Sequence, residues 1–150
     1  MEFVDLFPTL VEAAGMDPLN ICPLNSNDVQ LCTEGSSLIP LIENPESSEW
    51  KEAIFWQCAA GEQQTDSIKT CMGYSIRTEN HHYTEWVHIK VHDDSVSYEP
   101  EWDNPCDHSE LYDLENDPKE NINVHKIPEY EEIVLELSTR LRAGWRNEIK

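Results

Sequence analysis

The chain has 150 residues, of which 39% are hydrophobic and five are Trp. That is the composition of a folded chain long enough to bury a core, not of a disordered one. Thirty acidic residues against ten basic ones give a formal net charge of -20, which excludes nucleic acid and an anionic membrane surface as partners, since both need a basic footprint. The same charge speaks against a polyanionic substrate unless a basic site comes from elsewhere, and a solvated acidic surface explains it most simply.

In chain order, Phe3, Leu6, Phe7, Leu10, Val11 and Ala14 recur at helical spacing. Asp5 is placed to cap a first tight turn, Pro8 to sit near the start of the regular helix, and Gly15 to end it. Residues 16–34 read as an irregular loop, 35–42 as a turn followed by a short apolar element, and 45–48 as a surface turn. Ala53 to Gln57 is expected to be a short buried strand, and residues 59–70 a polar loop.

From Met72 to Thr78 the chain alternates, with Met72, Tyr74 and Ile76 on one face and Gly73, Ser75 and Arg77 on the other. After a turn at Glu79-Asn80, Tyr83, Val87, Ile89 and Val91 share a face, opposite His82, Thr84, Trp86, His88, Lys90 and His92. Two alternating runs about a short polar turn predict a β-hairpin. Residues 93–108 read as an acidic loop and Glu110 to Leu114 as another strand. Tyr130, Ile133, Val134, Leu137, Leu141 and Trp145 mark one stripe of a C-terminal helix. The expected fold class is therefore α+β: a small antiparallel sheet of three to four strands with a C-terminal helix across one face.

The opening residues carry neither a charged n-region nor a small-residue cleavage site, so no signal peptide is expected within them. No apolar run is long enough for a membrane-spanning helix, and no Asn-x-Ser/Thr glycosylation acceptor occurs. Cys22 and Cys32 flank a polar loop of a length that a disulfide can staple, with about 2–3 kcal/mol of stabilisation. Their spacing is too long for a zinc knuckle. For Cys58, Cys71 and Cys106, a pair among them and simple burial as small apolar side chains both remain open. Disulfide use implies a secretory or lysosomal route.

Several segments resemble the sulfatases in the same order. Val4-Asp5-Leu6-Phe7-Pro8-Thr9-Leu10 is similar to that family's "VDLFPTL" helix, and Glu34-Gly35-Ser36-Ser37-Leu38-Ile39-Pro40-Leu41 to its "(D/E)G.SL.PLL" turn. Ser109-Glu110-Leu111-Tyr112-Asp113-Leu114, running on through Asp117-Pro118 to Glu120 and Asn121, resembles its "ELYDL..DP.E..N" closing motif. Cys71 to Thr78 followed by His82 to Val87 resembles the "MGYSIRT…RYT.WV" hairpin of the iduronate-2-sulfatase branch, and Cys22 and Cys32 fall where those enzymes carry a disulfide.

The resemblance implies an alkaline-phosphatase-like fold, with residues 1–42 ending the N-terminal domain and 43–150 forming the C-terminal subdomain. It also implies a parent enzyme that hydrolyses 2-O-sulfate from iduronate in heparan and dermatan sulfate, in the lysosome or outside the cell. The parent would use a formylglycine made from Cys and a calcium ion held by carboxylates, and its N-terminal catalytic domain would be this chain's partner.

Neither device has a counterpart in these residues. No cysteine stands in a C.P.R signature, and the family's metal-ligand segments are missing, so no catalytic residue, metal ligand or cofactor contact is expected and the chain alone should be inactive. His82 and His88 would lie about 20 Å apart along a strand, beyond the reach of one ion. Asp93-Asp94 sits in a stretch without the spacing of a calcium loop. Arg77 and Trp86 are the residues placed to face either the catalytic domain or the substrate side; for Arg77 a buried ion pair that locks the subdomain to its neighbour is favoured over a sugar anchor. Two rival readings stand: the tail of another sulfatase or phosphodiesterase, and a free-standing acidic interaction module without catalysis.

Overall fold

A computed structural model describes residues 1–46, 50–60, 71–91 and 98–148. The chain folds as two compact units: residues 1–54 with 145–150, and residues 55–144. The boundary expected between residues 42 and 43 thus falls inside the first unit.

In the first unit a 3-10 turn, Phe3–Asp5, leads into α1, Leu6–Ala13. Pro8 occupies the first turn of α1, where a missing N–H removes no helical hydrogen bond. The helix ends on a Schellman motif: the Gly15 N–H donates to Glu12 O (2.9 Å) and the Met16 N–H to Val11 O (3.2 Å). Gly15 supplies the left-handed φ of +71° that this closure needs. The apolar element foreseen after Gly35 is a short helix, α2, Ile39–Glu43, with Pro40 in its first turn.

Asp5 organises this unit. It is fully buried, and its carboxylate accepts the N–H groups of Glu2 (2.8 Å) and Ser36 (2.9 Å) and the Lys51 ammonium (2.6 Å). Burial alone would raise its pKa; the Lys51 hydrogen bond and the two backbone donors outweigh this and hold it below the usual value. Thr9 Oγ1 donates to Asp5 O (2.6 Å) and accepts from the Leu38 N–H (2.9 Å), fastening α1 to the approach to α2. Gly35 lies against the backbone there: a Cβ on it would stand 2.1 Å from Val4 O. The Cys22–Cys32 disulfide closes the intervening loop, and Arg146 clamps it by donating to Cys22 O (2.7 Å) and pairing with Glu34 (2.6 Å).

The second unit is built on one sheet of four strands among the described residues: β1 (Ile54–Ala60), β2 (Cys71–Arg77), β3 (His81–Val91) and β4 (Tyr98–Asp113), in spatial order β1-β2-β3-β4. The foreseen hairpin is β2 and β3, antiparallel with Arg77 opposite His82 and Cys71 opposite His88. A helix, α3 (Glu131–Ala143), packs on β2 and β3. Its Leu137 and Leu141 are buried, as are Ile76, Tyr83, Val87 and Leu111 of the sheet. On the same side Glu85, 5% exposed, is satisfied by Arg142 (3.0 Å) and the Tyr83 hydroxyl (3.0 Å).

Three expectations are corrected. The strand read as short and buried at Ala53 to Gln57 runs from Ile54 to Ala60, and Trp56, Gln57, Cys58 and Ala59 are exposed, because β1 is a sheet edge. The acidic stretch read as loop to residue 108 is largely strand, since β4 begins at Tyr98. Its prolines are tolerated because β4 is the other edge and its register against β3 shifts on either side of Val87. The C-terminal stripe stops short of Trp145: Gly144, at φ +86°, ends α3, and Trp145 opens a separate 3-10 segment. The rest of the loop expected at 59–70, the residues 92–97 that include His92 and Asp93-Asp94, and residues 47 and 48 of the expected surface turn lie outside the described residues.

Candidate functional site

Directly paired residues of an antiparallel sheet share a face. The register therefore gathers Ser75 and Arg77 of β2, His82, Thr84 and Trp86 of β3, and Glu110 and Tyr112 of β4 on the side away from Tyr83, Glu85 and Val87. This polar face is the candidate site.

A continuous chain of hydrogen bonds crosses it. Ser75 Oγ lies 2.7 Å from Thr84 Oγ1, which lies 3.3 Å from His82 Nε2. His82 Nδ1 is 2.8 Å from Glu120 Oε2, and Arg77 Nη1 donates to Glu120 Oε1 at 2.5 Å. Glu120 comes from the turn after β4 and holds φ at +55°, the one positive value at a non-glycine among the described residues. A residue kept in that region needs its surroundings to hold it there, and here the two side chains from the hairpin do so. Burial would raise the Glu120 pKa, but His82 and then Arg77 outweigh it and lower it. The His82 ring also lies 4.8 Å from that of Trp56 and 5.8 Å from that of Tyr112.

A second cluster is centred on Glu110, which accepts the Trp86 indole N–H (3.0 Å) and the Tyr112 hydroxyl (2.9 Å). The Trp86 ring stands 5.1 Å from that of His108.

Hydroxyl, imidazole and carboxylate in series superficially match a nucleophilic relay. Ser75 and Thr84 are, however, only 1% and 4% exposed and bond to each other, so no substrate carbon reaches them. What the array does chemically is fix the geometry of Glu120 and Arg77. Arg77 pairs with Glu120 of its own unit and its side chain is 40% exposed, which is a different contact from the expected buried pair to a neighbouring domain. Trp86 shares its face but belongs to the Glu110 cluster, about 13 Å along β3 from His82. Glu120 was visible in the sequence only as a letter of the closing motif; its bonds to Arg77 and His82 span 43 and 38 positions.

Among the described residues, one group of side chains is close enough to share a metal ion: Cys71, His88 and Cys106. Sulfur and imidazole do not suit calcium, which takes oxygen ligands, so no calcium-dependent step is assigned to these residues. Four of the five cysteines are paired, Cys22 with Cys32 and Cys71 with Cys106, and Cys58 is a free, exposed thiol.

An antiparallel sheet backed by a C-terminal helix, following the Asp5-centred unit, is the arrangement of a sulfatase C-terminal region. Residues 1–147 match the family described as N-sulphoglucosamine sulphohydrolase, C-terminal, and the chain belongs to that family. Among curated proteins it is 32% identical over 142 residues to iduronate 2-sulfatase of Mus musculus, and 30% identical over 142 residues to iduronate 2-sulfatase of Homo sapiens. Each match covers 83% of this chain and 25% of the relative, so the chain spans about a quarter of their length.

Two solved structures share the fold. A phosphonate monoester hydrolase of Agrobacterium radiobacter aligns with a TM-score of 0.61 at 23% identity, covering 97% of this chain and 25% of that one. A protein in complex with its substrate D-glucosamine-2-N,6-O-disulfate aligns with a TM-score of 0.57 at 26% identity, covering 93% and 22%. Among the described residues no helix is long and apolar enough to cross a membrane.

Proposed function

We propose that this chain is the C-terminal portion of an iduronate-2-sulfatase-like sulfate ester hydrolase, acting on 2-O-sulfated iduronate of heparan and dermatan sulfate in the lysosome or outside the cell. The observation that carries this reading is the 32% identity to iduronate 2-sulfatase across 83% of the chain. In the parent protein, a hydrated formylglycine would attack the sulfate and calcium would offset its charge. In this reading both groups come from the catalytic domain and not from the present chain. The chain's part is to hold a rigid polar face, locked by Arg77, His82 and Glu120, and to dock on the catalytic domain.

Exposed apolar side chains support that docking. Phe3 is 91% exposed, Leu10 67% and Phe7 49%, which places an apolar patch along the 3-10 turn and α1 of the kind that marks interaction sites. An N-terminal catalytic domain of the same family is the partner this patch fits. Alone, the chain should bind a hydrophobic dye, and co-expression with such a domain should abolish that binding. A dye-silent monomer with a sharp two-state unfolding transition would instead favour the free-standing module.

The test of substrate is an assay of the full open reading frame against 2-O-sulfated iduronate disaccharides. N-sulfated or 6-O-sulfated glucosamine and a phosphonate monoester serve as competitors. Preferential release of iduronate 2-O-sulfate is expected. Preference for glucosamine sulfate or for the phosphonate would assign the parent to another branch of the superfamily.

A further inference from the structure

The polar face of the sheet carries one feature that the proposed function does not use. Cys71 on β2 and Cys106 on β4 are bonded to each other although β3 lies between their strands. The register accounts for this: Val87 pairs with Pro105 and Glu85 with Ser109, so Cys106, Asp107 and His108 together oppose Trp86 alone. This bulge brings Cys106 across β3. His88 on β3 is the cross-strand partner of Cys71 and lies beside the bridge, with Cys106 Sγ 3.7 Å from Nδ1 and 3.9 Å from Nε2.

We propose that, once the Cys71–Cys106 disulfide is reduced, Cys71, His88 and Cys106 form a three-ligand zinc site, so that this face exchanges a disulfide for a soft metal ion. One ligand atom from each residue already lies within 4.8 Å of the other two. Zinc bonds of about 2.3 Å to sulfur and about 2.0 Å to nitrogen at tetrahedral angles require S···N near 3.6 Å and S···S near 3.8 Å. The first separation is in place between Cys106 and His88, at 3.7 Å. The second needs the sulfurs unbonded, since a disulfide holds them about 2.0 Å apart, so bond and ion exclude one another. Two thiolates and an imidazole suit zinc and not calcium, and three protein ligands leave a fourth position for water. All three residues are partly exposed, and the net charge of -20 draws cations to the chain.

The exchange balances. A dithiol gives two electrons and two protons to the disulfide, becomes a disulfide itself, and leaves Cys71 and Cys106 as thiols. Zinc then releases both thiol protons to solvent and takes a lone pair from neutral His88. An oxidising compartment holds the disulfide form; the zinc form belongs to the chain before oxidation or after reduction.

The test uses the full chain, reduced and freed of reductant, and titrated with Zn²⁺ against a chromophoric chelator. Iodoacetamide labelling mapped by peptide mass then reads each cysteine. One ion per chain is expected, with labelling of Cys71 and Cys106 slowed at least about tenfold and Cys58 unaffected, while the oxidised chain binds none. His88→Gln should weaken binding by about a hundredfold, and Cys58→Ser should leave it unchanged. Should His88→Gln fail to fold, the labelling map of the unaltered chain decides alone. No binding by the reduced chain, protection falling on Cys22, Cys32 or Cys58 in place of Cys71 and Cys106, or full affinity in folded His88→Gln overturns the proposal.

Discussion

Arg77 and Glu120, 43 positions apart, meet through Nη1 and Oε1 at 2.5 Å. The pair joins the end of the central hairpin to the turn that follows the last strand, and it holds Glu120 at a positive φ of 55°. His82 takes the other carboxylate oxygen, so one acidic side chain ties three parts of the unit together. Because Arg77 is 40% exposed, solvent screens the pair, and a double-mutant cycle with Arg77→Ala and Glu120→Ala should return a coupling of about 0.5–1 kcal/mol. Glu120→Gly should cost less than Glu120→Ala, because glycine alone releases the backbone strain. Urea unfolding measures both; zero coupling, or glycine costing more than alanine, would contradict this account.

Gly35 tests the first unit. A Cβ at this position would sit 2.1 Å from Val4 O and 2.5 Å from Val4 C. These are backbone atoms and cannot rotate away, so the 3-10 turn must shift and the Asp5 contacts with Ser36 and Lys51 must loosen. Gly35→Ala should cost about 3 kcal/mol or more. A chemical denaturation midpoint within experimental error of the parent chain would refute the close approach.

Asp113 sets a pH dependence. Hydrogen bonds from the Tyr130 hydroxyl and the Asn116 amide, with backbone donors, pull its pKa down to about 2. The ordinary unfolded value is about 3.9. A depressed carboxylate contributes stability that is fully present above the unfolded pKa and is lost as pH falls through the folded one. Unfolding free energy should therefore drop between about pH 5 and pH 2, and Asp113→Asn should remove part of that slope. An unchanged slope in the variant, followed by circular dichroism, would show that Asp113 is not its source.

The two disulfides should differ in their contribution. Cys22–Cys32 closes a separation of 10 residues and Cys71–Cys106 one of 35. Loop-closure entropy assigns about 2.7 kcal/mol to the first and about 4 kcal/mol to the second. Serine pairs at each bridge, compared by Tm, should rank in that order; the reverse ranking would mean that loop length does not govern their effect.

Local order was legible in the chain of residues. Alternation around Glu79-Asn80 foretold the hairpin and both of its faces, because a strand has a period of two whatever lies beside it. Pro8 and Gly15 marked the start and end of α1 for reasons internal to a few residues. Whatever depends on partners far along the chain was settled by the fold. That Glu120 meets Arg77 and His82, and that Cys71 pairs with Cys106 across β3, follows from sheet register and a bulge, which leave no short-range signature. That β4 begins at Tyr98 was hidden because acids and prolines read as loop until an edge strand accommodates them. Trp145 follows the same rule: the helical stripe continued through it, but Gly144 turned the backbone, and that residue joined the first unit instead.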